Sequence, residues 1–216
     1  MVKVLELFSG TECMSNAFRE RGHECYTVDW DWQFPSSLHI DIGILTAEQI
    51  REEFGDPDVI FAAFDCRTFS MAASTAHHRK KNPVTGNLDP LSDYAKKCDE
   101  VDQHCLELIK ELNPAVYIIE NPRGGLRSMT WMKDIPVRNT TTYCQYGFPY
   151  MKPTDFFSNI DLQLKPPCKN GDPCHERAPR GSQHSGVQGL KGSKERSMYP
   201  PELCKHIVKI CEEKVK

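Results

Sequence analysis

Short apolar runs alternate with segments of helical periodicity along the first 120 residues of this 216-residue chain, which restricts the possible folds. The runs at 59–63 and 115–119 contain only apolar and aromatic residues, as is typical of strands buried on both faces of a parallel sheet. The long amphipathic segment 93–112 between them predicts a covering helix. Together these features predict an α/β fold with a doubly wound sheet, whose ligands bind at the carboxyl ends of strands.

Residues 71–92 interrupt this alternation. They are polar, carry the basic cluster 77–81 and contain Pro83 and Pro90, so we expect a long mobile loop. The other predicted elements are strands at 2–8, 25–28, 140–146 and 154–157 and helices at 14–21, 46–54 and 201–214.

The composition is that of an ordinary globular chain, with 39% hydrophobic and 26% charged residues. No apolar run is long enough for a membrane span, and the N-terminus turns polar too early for a signal peptide. We therefore expect the ten cysteines to be reduced. Residues 1–122 carry 11 Lys and Arg against 21 Asp and Glu, whereas 123–216 carry 16 against 9. The basic half suits a polyanion, although solvated surface explains it equally well.

Three strand ends carry residues suited to an adenosine-containing ligand. The Ser-Gly-Thr turn at 9–11 precedes a helix, where backbone amides favour an anion. Asp29 suits ribose hydroxyls and the indole of Trp30 suits adenine, while Asp41 and Ile42 stand at the next strand end. Each feature alone has an ordinary interpretation: the turn as a loop, the acids as solvated side chains and the indole as a core aromatic. Their joint occurrence favours an adenosine site.

Two reactive side chains follow the buried strands. Cys66 is a candidate nucleophile, and we expect Arg67 and the following backbone amides to lower the pKa of its thiol. The alternative is a small core residue, as most cysteines are. Glu120 ends an apolar strand, where burial raises the pKa of a carboxyl group and suits it to donate a proton.

The order of these motifs resembles that of the cytosine-C5 DNA methyltransferases, and most closely their small phage and prophage forms. The resemblance covers most of residues 3–160. The matching segments are 5–11, 29–30, 41–42, 66–70, 120–122 and, at the family's strand 6 motif, 145–154.

The resemblance implies a Rossmann-like class I S-adenosylmethionine-dependent methyltransferase fold and methyl transfer to C5 of cytosine in duplex DNA. Cys66 would attack C6 of a flipped-out cytosine, and protonated Glu120 would bind N3 and the amino group. Loop 71–92 would close over the base. The implied S-adenosylmethionine site consists of Phe8, Ser9, Gly10, Thr11, Asp29, Trp30, Asp41 and Ile42. The implied substrate or DNA contacts are Arg67, Ser70, His78, Arg79, Asn121, Arg123 and Gln145.

Three positions depart from the family pattern. Glu12 stands where the family has glycine, and would either weaken cofactor binding or point away as the first residue of the helix. Asp65 replaces a proline and would raise the pKa of Cys66, although its arginine neighbour opposes this. Tyr150 and Lys152 occupy the place of the strand 6 arginines, which leaves the base contacts there open.

The chain also lacks room for a separate target-recognition domain, since only residues 155–200 separate the strand 6 motif from the terminal helix. We expect a catalytic domain over 1–164, a basic Pro/Gly-rich segment facing DNA over 165–200, and a C-terminal helix over 201–216 on the same domain. A homodimer or a separate specificity partner would supply the missing surface. The expected location is the cytoplasm of a bacterial host or phage-infected bacterium.

The Pro/Gly-rich segment contains a candidate metal site. Cys168, Cys174 and His175 would hold a structural zinc ion and order a segment with little core, with Cys144 as a fourth ligand. Their spacing is not that of a standard zinc finger, so free thiols and a surface histidine are the alternative.

Three other functions fit parts of the sequence. One is a degenerate relative that keeps cofactor or DNA binding without turnover, supported by Glu12 and Asp65. Another is a methyltransferase acting on free nucleotide or RNA, suggested by the missing recognition domain. The third, a nicotinamide oxidoreductase, needs a Gly-x-Gly-x-x-Gly turn that residues 9–14 do not supply.

Overall fold

A computed structural model describes residues 1–70, 75–176 and 193–215 as a seven-stranded sheet between two helical layers, with a small hairpin beside it. The strands are β1 (Lys3–Leu7), β2 (Glu24–Asp29), β3 (Leu38–His39), β4 (Val59–Ala63), β5 (Arg79–Lys81), β6 (Leu88–Pro90), β7 (Val116–Pro122), β8 (Val137–Thr142) and β9 (Pro153–Ser158). The helices are α1 (Cys13–Arg19), α2 (Ala47–Glu53), α3 (Thr75–His78), α4 (Asp93–Leu112), α5 (Ser193–Ser197) and α6 (Pro201–Lys214).

The main sheet has the strand order β3-β2-β1-β4-β7-β9-β8. The first five strands in this order are parallel, and β9 runs antiparallel between β7 and β8. The chain moves outward from β1 to β2 in one direction and from β4 to β7 in the other. This reversal opens a crevice at the carboxyl ends of β1 and β4, where doubly wound sheets bind ligands. The predicted doubly wound, mostly parallel fold is confirmed.

Alternate residues of the central strands point to opposite faces and build two cores. Val4 packs with α1 and α6 on one face, and Leu5 packs with α2 and α4 on the other. Burial of α6 through Ile207 and its neighbours places the terminal helix against the same sheet. Within the described ranges, no helix is long and apolar enough to cross a membrane.

Local sequence signals account for several boundaries. The hydroxyl of Ser92 caps α4 by accepting from the backbone N–H of Ala95, and Asn113 ends the helix in a left-handed conformation. The observed helix thus has the predicted range, 93–112. The strand predicted at 140–146 is β8, which begins earlier, at Val137, and ends at Thr142. A 3₁₀ turn then buries the ring of Tyr143.

Residues 71–92 differ from the predicted loop. Residues 71–74 lie outside the described part of the chain, but 75–92 contain α3 and the antiparallel hairpin β5–β6. The hairpin is anchored by Arg79, expected to contact DNA. Its buried guanidinium pairs with Asp99 at 2.7 Å, donates to Thr68 and lies 3.8 Å over the ring of Phe69. A buried ion pair of this kind links residues twenty apart and leaves no local pattern in the sequence, so Arg79 was wrongly placed on the surface.

Candidate active site

The turn after β1 lies against the end of β2. The backbone N–H of Gly10 donates to Oδ2 of Asp29 at 2.8 Å, and that of Asp31 donates to Oδ1 at 2.9 Å. Each carboxylate oxygen therefore keeps a further lone pair for another donor. Gly10 has a φ of +47°, and a Cβ there would meet no atom within 4 Å. The turn thus exposes backbone to open space beside an acid.

The other predicted cofactor residues lie along the same edge of the sheet. The Trp30 side chain is 58% exposed, and Phe8 packs edge-to-face on Phe64. Asp41 caps a 3₁₀ turn that begins at Ile42, whose own side chain is buried in the core. The hydroxyl of Thr11 lies 3.1 Å from the sulfur of Cys13. Because β3, β2 and β1 are neighbours, the structure brings these residues to three adjacent strand ends.

Glu12 points away from this turn. Its carboxylate accepts from the hydroxyl of Thr27 at 2.6 Å and from the guanidinium of Arg19 at 3.0 Å, beneath α1. The residue stands at the N-cap of α1 in a left-handed conformation. This agrees with the second outcome expected for Glu12, in which its side chain points away from the cofactor at the start of the helix.

Cys66 begins a short 3₁₀ turn directly after β4. Asp65 caps the turn by accepting from the backbone N–H of Arg67 at 2.9 Å, and its carboxylate also pairs with the Arg67 guanidinium at 2.5 Å. The hydroxyl of Tyr94 donates to the same carboxylate. Burial would raise the pKa of Asp65, but the hydrogen bonds from Arg67 and Tyr94 outweigh it and hold that pKa below its ordinary value.

The pKa of the Cys66 thiol is raised to about 11, opposite to the predicted direction. Burial is the largest cause, followed by the negative charges of Glu120 and Asp65. Arg67 does not offset them, because its guanidinium is held by Asp65. The charge that favours the thiolate comes from Lys152.

Glu120 lies on the neighbouring strand tip. It is in register with Ala63 of β4, three residues before Cys66. Its Oε2 accepts from the hydroxyl of Tyr199 at 3.0 Å, while Oε1 is buried without a hydrogen-bond partner among the described residues. Burial raises the pKa of Glu120, against the opposing effects of Lys152 and Tyr199. The carboxyl group is therefore biased toward its protonated form and keeps one oxygen for a ligand.

Close backbone contacts fix the two strand tips relative to each other. Asn121, expected to contact DNA, is instead fully buried, and its amide donates to the carbonyl of Phe64 at 2.9 Å. Ser70 forms an isolated bridge with Gly124. A Cβ on Gly124 would lie 2.3 Å from the carbonyl oxygen of Phe69, so only glycine permits this approach. The turn carrying Cys66 and the strand carrying Glu120 thus form one rigid unit.

The remaining predicted DNA contacts lie in different surroundings. The side chains of Arg67 and Arg123 are exposed. His78 is partly buried and hydrogen-bonded to the serine that caps α4. The side chain of Gln145 is partly buried, and its amide lies 3.6 Å from the sulfur of Cys174, in a cluster at the end of β8.

Two side chains at the site were not predicted as functional. The hydroxyl of Tyr199 donates to the carboxyl group of Glu120. The two residues are 79 positions apart in the sequence, so no local pattern predicts that contact. Lys152 was noted only as a replacement for the family's arginines. Its ammonium donates to the carbonyl of Arg196 at 2.6 Å and lies 4.4 Å from the ring centre of Tyr143. The signal that could have identified Lys152 was its place in the strand 6 motif, where the family has arginines, since a cation there lies near the buried thiol and carboxyl group.

A second cluster lies at the end of β8 and does not include Cys66 or Glu120. Cys144, Cys168, Cys174 and His175 each offer one ligand atom, and these atoms all lie within 4.8 Å of one another. The predicted set of candidate metal ligands, including Cys144, is therefore assembled by the fold.

Known proteins are similar to this chain in sequence and in fold. It is 28% identical to the "Probable DNA (cytosine-5)-methyltransferase" of Frog virus 3 (isolate Goorha) over 228 residues, which span 97% of this chain and 100% of the relative. The resemblance predicted from the motifs is confirmed. No family model matches the chain.

Solved methyltransferase structures align with most of this chain. The "putative DNA modification methyltransferase encoded within prophage" of E. coli aligns with a TM-score of 0.51 at 20% identity, over 73% of this chain and 46% of its own. S. pombe Dnmt2 methyltransferase aligns with a TM-score of 0.49 at 15% identity, over 74% of this chain and 50% of its own. The E. coli structure shows that the fold is that of a methyltransferase. This chain spans about half the length of the solved structures it matches.

Proposed function

We propose that this chain is a DNA (cytosine-5-)-methyltransferase that transfers a methyl group from S-adenosylmethionine to C5 of cytosine in duplex DNA. One observation carries the proposal: the thiol of Cys66 and the carboxyl group of Glu120 stand on adjacent strand tips, and one Glu120 oxygen is buried without a partner among the described residues. The Frog virus 3 relative, matched over its whole length, supports the same reaction.

The turn between β1 and α1 fits S-adenosylmethionine. The open space at Gly10 admits a ligand close to backbone, and the remaining lone pairs of Asp29 suit ribose hydroxyls. The exposed indole of Trp30 suits the adenine face, and Ser9 offers a buried hydroxyl without a partner among the described residues. When bound, this cofactor supplies an electrophilic methyl group.

Cys66 and Glu120 would divide the chemistry between them. The Cys66 thiolate forms a bond from Sγ to C6 of a flipped-out cytosine, and the displaced electron pair moves through the ring to N3, which takes the proton of Glu120. C5 becomes nucleophilic and accepts the methyl group. Loss of the C5 proton to a base then breaks the Sγ–C6 bond, and N3 returns its proton to Glu120. The cation of Lys152 favours the thiolate before attack.

The two departures that supported a degenerate binding protein differ in their effect on this chemistry. The carboxylate of Glu12 is held by Arg19 and Thr27, so it adds no free charge to the cofactor turn. The carboxylate of Asp65 raises the pKa of the Cys66 thiol, and the cation of Lys152 opposes it. The position of Glu12 thus favours an active enzyme over a catalytically weakened relative.

The exposed cations beside the cleft would contact DNA phosphates. Arg67 follows the nucleophile, Arg123 follows β7, and Lys80 and Lys81 lie on the hairpin anchored to the nucleophile turn. Sequence reading would come from the basic segment 165–200, of which 177–192 lie outside the described residues, or from a second copy or a partner. The relatives come from a virus and a prophage, so we expect action on DNA in the cytoplasm of a host cell.

Zinc would be a second cofactor at the Cys/His cluster. The four candidate ligands do not include Cys66 or Glu120, so the ion would have a structural role.

The test is transfer of tritiated methyl groups from S-adenosylmethionine to unmethylated duplex DNA, with RNA and dCMP as competing substrates. We expect label on cytosine of duplex DNA, no transfer by Cys66→Ala and a large loss with Glu120→Gln. Cys25→Ser, which changes a thiol remote from the cleft, is the matched control and should retain activity. Label on adenine, preference for RNA or dCMP, or full transfer by Cys66→Ala would contradict the proposal.

A further inference from the structure

Three thiols and an imidazole converge at the end of β8. The sulfur of Cys144 lies 3.3 Å from that of Cys168 and 3.6 Å from that of Cys174. Nδ1 of His175 lies 3.6 Å from the Cys168 sulfur and 3.5 Å from the Cys174 sulfur. The two remaining ligand-atom distances are within 4.8 Å.

These spacings match the edges of a zinc tetrahedron. Bonds of about 2.3 Å to sulfur and about 2.0 Å to nitrogen, at tetrahedral angles, separate two sulfurs by about 3.8 Å and a sulfur from a nitrogen by about 3.6 Å. Four of the six separations fall within about 0.5 Å of those values, and the other two are no longer than 4.8 Å. The cluster thus has the size that one tetrahedral ion would require.

Disulfide chemistry explains the cluster less well. A disulfide bond between Cys144 and Cys168 would not explain why the thiol of Cys174 and the imidazole of His175 lie beside them. Soft thiolate ligands together with one imidazole are the set that zinc prefers. The number and type of ligands therefore favour a metal.

The segment that carries three of the ligands has little else to hold it. Residues 165–176 contain no regular secondary structure, and none of their side chains is fully buried. Polar contacts dock its two ends: the carbonyl of Lys165 accepts from Thr141, and the N–H of Glu176 donates to the carbonyl of Pro149. Burial of apolar surface therefore contributes little to ordering the segment, and a metal would supply the missing free energy.

Thr142 supports the ligands from outside the cluster. Its hydroxyl oxygen accepts from the backbone N–H of Cys168 at 3.1 Å, and its O–H is directed at the sulfur of Cys168 at 3.3 Å. Hydrogen bonds to ligating atoms orient them and tune the metal, as in other zinc sites. The side chain at the last position of β8 thus serves the same cluster.

We propose that Cys144, Cys168, Cys174 and His175 form a closed structural zinc site that fastens residues 165–176 to the end of β8. All four tetrahedral positions come from the protein, which leaves no open position for a water or substrate. On binding, the ion replaces the three thiol protons, which pass to solvent. The site does not include Cys66 or Glu120, so zinc binding and methyl transfer can be measured separately.

Metal content of the purified full chain is the first test. After exchange into metal-free reducing buffer and addition of one equivalent of zinc, we expect about one tightly held ion per chain by mass spectrometry. Cys168→Ser and His175→Ala should bind less than half as much, whereas His175→Cys should restore binding because it again supplies four ligands. Cys25→Ser is the matched control and should bind zinc like the unmodified chain.

A cobalt-loaded sample gives a second, optical readout. Tetrahedral cobalt with thiolate ligands should give intense visible absorption and a sulfur-to-metal charge-transfer band, both lost in Cys168→Ser. No zinc in the reduced chain, equal zinc in Cys168→Ser and the unmodified chain, or a Cys144–Cys168 disulfide under reducing conditions would overturn the site. An inactive chain that still binds zinc would contradict the proposed enzyme but leave this site standing.

Discussion

Gly124 offers a sharp test of the way the two strand tips are joined. An alanine Cβ there would lie 2.3 Å from the carbonyl oxygen of Phe69, whereas a relaxed carbon–oxygen contact needs about 3.3 Å. The backbone at Gly124 or at the turn carrying Cys66 must therefore shift by about 1 Å. A displacement of that size between reacting groups costs about 100-fold in rate, and the overpacking costs about 1–3 kcal/mol of stability.

We expect Gly124→Ala to lower kcat for methyl transfer about 100-fold while the Kd for S-adenosylmethionine stays nearly constant, since the turn after β1 is not touched. Steady-state tritium transfer, calorimetric cofactor titration and urea unfolding measure the three quantities. Gly125→Ala is the matched control, because its Cβ would meet the end of the flexible Leu88 side chain at the same 2.3 Å, and that side chain can move. An unchanged kcat for Gly124→Ala, or an equal loss for Gly125→Ala, would refute the reasoning.

Three further predictions concern ionisable groups. Alkylation of Cys66, followed by peptide mass spectrometry against pH, should have a midpoint near 11. The midpoint should fall in Glu120→Gln, because that change removes an anion that raises the pKa of the thiol, and an unchanged or higher midpoint would contradict this. Tyr199→Phe should lower kcat about 10- to 100-fold, the loss of one hydrogen bond to a charged group. It should also move the alkaline limb of the kcat profile to higher pH, since that hydrogen bond lowers the pKa of Glu120, and a purely structural role would leave the limb in place. Burial raises the pKa of Glu6 from 4.5 to about 7, so the native state holds a proton that the unfolded chain releases, and stability falls as pH rises through this range. Glu6→Gln should flatten that part of the stability curve in urea unfolding, and a persistent slope would count against Glu6 as its source.

Local patterns predicted the elements that determine the fold. The apolar run of β4 and the amphipathic repeat of α4 were placed with the observed bounds, because period and burial are properties of the segment itself. The helix predicted at 46–54 is α2, and the capping box that the structure shows at its start joins Thr46 to Gln49, three residues later. Motif order then placed the candidate cofactor turn, Cys66 and Glu120 at neighbouring strand ends.

The features that sequence reasoning missed depend on contacts between distant residues. Arg79 has a basic neighbourhood typical of an exposed loop, yet its guanidinium is buried against Asp99, twenty positions later. The expected effect of Arg67 on the thiol failed because the nearer Asp65 captures its charge. The group that holds Glu120, Tyr199, comes from the far end of the chain. Such contacts follow only from the packed sheet.

Covalent trapping tests the central claim most directly. In duplex DNA containing 5-fluorocytosine, C5 carries fluorine in place of the proton that must leave, so the Sγ–C6 bond cannot break after methyl transfer. With S-adenosylmethionine present, we expect a denaturant-stable protein–DNA complex whose cross-linked peptide contains Cys66, and no complex with Cys66→Ser. Cross-linking at another cysteine, or methylation of ordinary cytosine without any trapped complex on the fluorinated duplex, would contradict the account.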